Sequence, residues 1–154
     1  MENFDAEKAT RVWQRVKGVV PAPPALQESP RELLHQSQAL AGLYLGLQRQ
    51  LKGQAAGRAR ELYRQHWELT ACLKGMCLTA GEAVPGLGPA IPGTGTARSI
   101  LEGCFHRERR LGDALASRAG PGGLGPVWQL LTGQAVKRAA AVLALLGETE
   151  DPRI

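Results

Sequence analysis

Glu108 is the residue of this chain whose type and position call most directly for chemistry. It belongs to a stripe of residues spaced three and four apart within residues 97–119, the spacing of a buried helix face. The other members of that stripe are Leu101, Cys104, Leu111 and Leu115. An isolated charge is too costly inside a protein, so Glu108 must pair with a basic group, bind a metal or take up a proton.

Three further apolar stripes each contain one polar residue: Ser37, His66 and Arg138. If the chain reverses near residues 53 and 122, Ser37 lies level with His66, and Glu108 lies level with Arg138. The register therefore predicts a core polar layer in the middle of a helical bundle, formed by Ser37, His66, Glu108 and Arg138.

The elements that would position this layer are helices, because the chain is rich in Ala and Leu, poor in aromatic residues and without strand-like alternation. Ser29, Pro30 and Glu32 predict a capped helix start. The Gly- and Pro-rich residues 81–96 are too long for a tight turn and predict a crossover. Four long helices are expected, at about 30–52, 55–80, 97–119 and 126–146.

These helices form two antiparallel hairpins joined by the long crossover, so the predicted fold is an all-α four-helix bundle. A short extra N-terminal helix at 5–17 carries Trp13, which is expected to cover a groove of the bundle. The predicted organisation is an N-terminal helix and Pro-rich connector at 1–28, the bundle at 29–147 and a frayed tail at 148–154.

Composition limits the classes of function. The net charge of +5 comes from basic residues spread over the whole chain, and no aromatic residues are interleaved with them, which argues against a nucleic-acid partner. The start does not resemble a signal peptide, and no uninterrupted apolar run reaches the ~20 residues of a membrane span. We expect a cytoplasmic protein with no membrane role, in which Cys72, Cys77 and Cys104 stay reduced.

Several segments resemble bacterial rubrerythrin-related, ferritin-like domain proteins over about residues 30–147. They are LYLGLQRQLKG, CLKGM, CFHRERRLGDAL and GPVWQLL, and they include Tyr44, seven residues after the first ligand position. The resemblance implies a ferritin-like four-helix bundle. It also implies a di-iron centre, with one Glu from each of two helices and Glu-x-x-His from each of the other two.

Most of the ligands that this resemblance implies are missing. The ligand positions fall, in chain order, at Ser37, His66, Leu69, Glu108, Ala135 and Arg138. One carboxylate of four remains, and two irons need several anionic oxygens. The resemblance therefore implies a degenerate site, and we expect Arg138 to take the place of the metal beside Glu108, with His66 and Ser37 as hydrogen-bonding neighbours. Arg138 extending its head group to solvent is the plainer alternative.

The first functional prediction is a metal-free protein with a structural or protein-interaction role, without di-iron enzyme activity. It could pair with a second copy or another protein through a leucine patch at Leu43, Leu45 and Leu47. An alternative is a metal-binding protein or oxidoreductase that holds iron or another divalent metal on His66 and Glu108. A second alternative is a basic adaptor for anionic partners.

Overall fold

The computed structural model describes residues 29–120 and 123–149, and this part of the chain is all-helical, with four helices and no strand. The helices are α1 (Pro30–Gln50), α2 (Gly53–Thr79), α3 (Ala97–Ser117) and α4 (Gly125–Thr149). The predicted all-α class is confirmed for these residues. Helix α4 continues two residues into the segment 148–154 that was expected to be a tail. The predicted helix at 5–17 lies outside the described residues.

Local sequence explains where the helices start and turn. The Ser29 hydroxyl accepts a hydrogen bond from the Glu32 amide at 3.3 Å, and the Thr96 hydroxyl caps α3 in the same way. Gly53, the first residue of α2, has φ 61°, a conformation that favours glycine. Only Leu51 and Lys52 separate α1 from α2, so these two helices form a tight antiparallel hairpin.

The crossover, residues 80–96, packs along α1 and runs parallel to it. Its hydrogen bonds join successive positions of the two segments at 2.7–3.0 Å: Gln38 with Gly88, Gly42 with Gly93 and Gln50 with Gly95. The crossover therefore begins near the first turn of α1 and ends near its last turn. Helix α3 consequently runs antiparallel to α1 and parallel to α2.

Two glycines allow this close approach. A Cβ atom added to Gly42 would lie 2.1 Å from the backbone oxygen of Ile91, and one on Gly46 would lie 2.5 Å from that of Gly93. No side chain fits at such distances, so the backbone of the crossover rests directly on the backbone of α1.

The leucine patch expected on α1 is not a surface patch. Leu47 is fully buried in the core, and Leu43 is half-buried against Gly93 of the crossover. Leu47 therefore cannot belong to an exposed docking patch, and Leu43 is in contact with the crossover, whereas Leu45 is half-buried. Pairing with another copy remains a prediction without an assigned surface.

The predicted apolar stripes form the core, with one exception. The spacing of three and four residues predicts that the apolar stripe containing His66 ends at Ala80, but Ala80 is exposed, because α2 ends at Thr79 and the chain leaves the bundle there. Cys77 and Cys104 are buried and Cys72 is half-buried, and all three are free thiols.

Helix α4 is the most apolar of the described helices. It contains a window with a mean hydropathy of 1.3, which by length and composition is long and apolar enough to cross a membrane. Its Arg138 and Trp128 are buried within the bundle. The core helix of a soluble bundle meets the same criteria, so hydropathy alone does not assign α4 to a membrane.

Candidate functional site

Five buried polar or aromatic residues from all four helices meet in the middle of the bundle, and we call them the polar core. They are Ser37 and Tyr44 on α1, His66 on α2, Glu108 on α3 and Arg138 on α4. Each lies on the apolar stripe of its helix, so the same spacing that forms the hydrophobic core also turns these side chains inward.

The carboxylate of Glu108 is the centre of the polar core. Tyr44 donates its hydroxyl to Oε1 at 2.9 Å, and Arg138 donates Nε to Oε1 at 3.2 Å and to Oε2 at 3.0 Å. His66 Nε2 also contacts Oε1. Both oxygens of a fully buried carboxylate are therefore satisfied by donors from α1, α2 and α4.

His66 is held from both sides of its ring. Nδ1 lies 3.0 Å from the Ser37 hydroxyl, and the ring stacks on Tyr44 with centroids 5.5 Å apart. Since Nε2 faces an acceptor-only carboxylate, it must carry the proton, and Nδ1 then accepts from Ser37. Thr70, half-buried on the same helix, donates to the His66 carbonyl at 2.7 Å.

Burial and pairing set the charges of these groups. Burial alone would raise the pKa of Glu108, but the electrostatic interactions and hydrogen bonds with His66 and Arg138 outweigh it and lower the pKa to about 2. Burial lowers the pKa of His66 below its usual value despite the attraction of Glu108. Burial and the Glu108 charge raise the pKa of Tyr44 well above 10. At neutral pH we therefore assign an ionised Glu108, a protonated Arg138 and a neutral His66.

This assignment makes the polar core electrically neutral, with one anion, one cation and uncharged neighbours. Glu108 and His66 are fully buried, and Arg138 is 2 % exposed. These hydrogen bonds can fix the protonation state of each group and hold the four helices in register. It offers no solvent-exposed nucleophile or base to a substrate.

The guanidinium of Arg138 is only partly used. Its Nε makes both bonds to Glu108, while Nη2 is buried and has no hydrogen-bond partner within residues 29–120 and 123–149. A guanidinium often binds a carboxylate through two nitrogens, but here a single nitrogen of Arg138 bonds both oxygens of Glu108. Arg138 is also one of the residues that line a groove between α2 and α4.

A metal would find few ligands here. Within the described ranges, no group of three or more His, Cys, Asp and Glu side chains is close enough to hold a metal ion. The candidate pair His66 and Glu108 is in contact, but each is already hydrogen-bonded to a neighbour. Glu68, two residues after His66, pairs with Arg64 on the exposed side of α2.

The two other histidines of the chain and the three arginines that neighbour Glu108 in the sequence lie away from the polar core. His35 and His106 are exposed, as are Arg107 and Arg110, while Arg109 lies over the ring of Phe105 at 5.8 Å. The bond from Tyr44 to Glu108 was not foreseen from the residues, although Tyr44 occupies the same stripe as Ser37, seven residues later. That shared stripe was the available signal, because seven residues bring a side chain back to the same helix face.

Comparison of the chain with protein-family models, with curated proteins and with solved structures found no match.

Proposed function

We propose that this protein is a ferritin-like four-helix bundle in which an internal ion pair replaces the di-iron centre, and that it serves a structural or protein-interaction role in the cytoplasm. One observation carries the proposal: Arg138 Nε donates to both oxygens of the buried Glu108 carboxylate, at 3.2 and 3.0 Å. A guanidinium in this place supplies the positive charge that a metal would otherwise supply.

The path of the chain supports the ferritin-like part of the proposal. Two antiparallel hairpins joined by one long crossover are the arrangement that ferritin-like bundles use. Those proteins place ligands from all four helices in the bundle core. Here Ser37, His66, Glu108 and Arg138 come from four different helices and lie within one chain of contacts.

The residues present do not fit two irons. The donor set is one carboxylate and one imidazole, whereas a di-iron centre in this fold takes four carboxylates and two histidines. The positive Arg138 also lies against the carboxylate that would bind the metal. A second cation there would be repelled and would have to displace the guanidinium from a buried position. We therefore assign no di-iron chemistry to this site.

One alternative retains a specific basis. His66 and Glu108 are in direct contact, and an imidazole with a carboxylate is a pair that binds Fe²⁺, Mn²⁺ or Zn²⁺. A single metal at this pair would require Arg138 to release at least one oxygen of Glu108. The alternative is therefore a mononuclear metalloprotein or oxidoreductase in which the ion pair opens.

Elemental analysis separates the two proposals. The full chain is incubated anaerobically with Fe²⁺, Mn²⁺ or Zn²⁺, dialysed and measured beside Glu108→Gln, which keeps the shape of the side chain but removes its charge. The ion-pair proposal expects far less than one metal per chain in both proteins. One metal per chain in the natural protein that is lost in Glu108→Gln would overturn it in favour of the mononuclear site.

A further inference from the structure

An aromatic pair lies on the outside of α2, beside the crossover. Trp67 is 63 % exposed, and the ring of Tyr63 meets it edge-on, with centroids 6.5 Å apart. Both rings line a groove of about 300 Å³ between α1, α2 and the crossover, and we call it the crossover groove. Leu87 and Pro89 form its crossover wall, and Lys74 also lines it. Aromatic rings arranged in this way are typical of surfaces that contact another segment of protein.

The crossover groove begins level with the start of α1. Ser37 contacts α2 at positions 66 and 70, so in this antiparallel hairpin it lies level with about residue 68. By the same register, Lys74 lies level with the first turn of α1. A rise of 1.5 Å per residue then places Trp67 about 14 Å along α1 from Ser29, and position 63 about 20 Å along. The groove therefore runs alongside α1 from the point where the chain enters that helix.

The segment that enters α1 has the composition and the length to reach both rings. Residues 19–28, which lie outside the described part of the chain, read VVPAPPALQE. Prolines favour the polyproline II conformation, which rises about 3.1 Å per residue. If the segment folds back along α1, Pro24 comes about 16 Å from the start of the helix and Pro23 about 19 Å. These distances match the positions of Trp67 and Tyr63.

The chemistry of the crossover groove suits such a segment. Proline-rich segments in the polyproline II conformation dock in grooves lined by aromatic residues, because little conformational entropy is lost on binding. Gln38 donates to the Gly88 carbonyl at 2.7 Å and holds the crossover wall in place. Glu28 directly precedes the N-cap of α1, and Lys74 lines the end of the groove nearest to it. Opposite charges therefore meet where the segment would enter.

We propose that residues 19–28 of this chain dock in the crossover groove, with Pro23 and Pro24 against the two aromatic rings and Glu28 beside Lys74. The segment then covers the exposed aromatic pair with a part of the same chain. It also covers Thr70, which lines the groove and whose hydroxyl lies 3.2 Å from that of Ser37 in the polar core. Docking thereby ties the entry of the chain to the packing of α1, α2 and the crossover.

The contact is tested in the full chain by NMR. The indole signal of Trp67 is identified by its loss in Trp67→Phe. Nuclear Overhauser effects are expected between this indole and the ring protons of Pro23 or Pro24. In a mixture of isotope-labelled and unlabelled chains, these effects should arise within one chain. Their absence would overturn the proposal. Effects found only between labelled and unlabelled chains would also overturn it and would make a second copy the occupant.

A double-mutant cycle tests the same contact through stability. Pro23→Ser with Pro24→Ser removes one side of the contact, and Trp67→Ala removes the other. Each change should lower the midpoint of thermal unfolding, and the combination should lower it no further than the larger single effect. Lost proline rigidity in the unfolded chain would instead add to the effect of Trp67→Ala. Additive effects would therefore refute the docking.

The control for the cycle is Leu143→Ala, which shortens an exposed apolar side chain on α4. Residues that are distant from each other have additive effects on stability, so this change should add to the effect of the two proline changes. If Leu143→Ala were coupled to the prolines as strongly as Trp67→Ala, the segment would lie elsewhere on the bundle and the assignment to the crossover groove would be wrong.

Discussion

The two flanks of the bundle are built differently around the same buried carboxylate. On the α1 flank, the backbone of the crossover lies directly on Gly42 and Gly46, and Tyr44 reaches inward to Glu108. On the α2–α4 flank, the helices stand apart, side chains line a groove, and Arg138 reaches inward from its floor. On the α1 flank, backbone packs on backbone. On the α2–α4 flank, side chains line the space between the two helices.

This difference assigns separate tasks to the flanks. Backbone packing at Gly42 and Gly46 leaves no room for a side chain between α1 and the crossover, so the α1 flank holds Tyr44 in place against Glu108. The α2–α4 flank holds the positive charge that neutralises Glu108 and also Arg138 Nη2, which has no hydrogen-bond partner within residues 29–120 and 123–149. A change in the structure is therefore more easily accommodated at α4 than at α1.

The largest effect on stability should follow from removing the Glu108 carboxylate, which side chains from both flanks contact. Glu108→Ala leaves Arg138 as a buried, uncompensated cation, which costs on the order of 3–5 kcal/mol in the free energy of unfolding. Urea denaturation measures this cost. The control is Glu102→Ala, which removes a carboxylate of the same helix from an exposed pair with Arg98 and should cost less than about 1 kcal/mol.

A double variant shows whether that cost comes from the stranded charge. Replacing both partners, as Glu108→Leu with Arg138→Met, removes the ion pair and keeps apolar volume. It should recover much of the stability that Glu108→Ala loses, because no buried charge remains. A double variant as unstable as Glu108→Ala would contradict the ion pair as the source of the effect.

The sequence predicted the helices and the polar residues on their stripes, because both follow from local spacing. Hairpin register also set Ser37 level with His66 and Glu108 level with Arg138, and both pairs lie within hydrogen-bonding distance. Local spacing works here because a two-residue turn leaves little freedom in how α1 and α2 align.

The features that the sequence did not predict depend on segments far apart in the chain. The crossover packs on α1 because Gly42 and Gly46 lack side chains, and this contact also brings Leu43 of the expected leucine patch against Gly93. Spacing cannot show which helix face a distant loop will occupy. The bonding of Glu108 by a single nitrogen of Arg138 likewise depends on the axial offset between α3 and α4. Sequence spacing does not give that offset to better than one helical turn.

A smaller effect should come from disturbing the closed flank alone. Gly42→Ala places a Cβ 2.1 Å from the Ile91 oxygen, so the crossover must move, at a cost of about 1–3 kcal/mol by analogy with overpacked cores. The control is Gly75→Ala on the exposed face of α2, where nothing lies within 4 Å. That variant should be stabilised by up to ~1 kcal/mol through helix propensity. If both variants gained stability in thermal or urea unfolding, the backbone contact would be refuted.

The smallest effect is the pH dependence of the free energy of unfolding. It shows whether water reaches the polar core. The pKa of His66 is below its ordinary 6.5 in the folded protein, so between those two values the unfolded chain binds more protons than the folded one. Stability should therefore fall as the pH drops below about 6.5, by at most ~1.4 kcal/mol per pH unit. Below 4.5, Glu108 adds to the loss in the same direction, because its folded pKa is about 2.

The slope between pH 7 and 5 can be attributed with His66→Gln, since a glutamine amide can still donate to Glu108 and accept from Ser37 but does not titrate. Urea unfolding at half-unit steps should give a flatter pH dependence for this variant than for the natural protein. An unchanged slope would mean that His66 titrates as it does in the unfolded chain. Water would then reach the ring, and the polar core would be accessible to solvent.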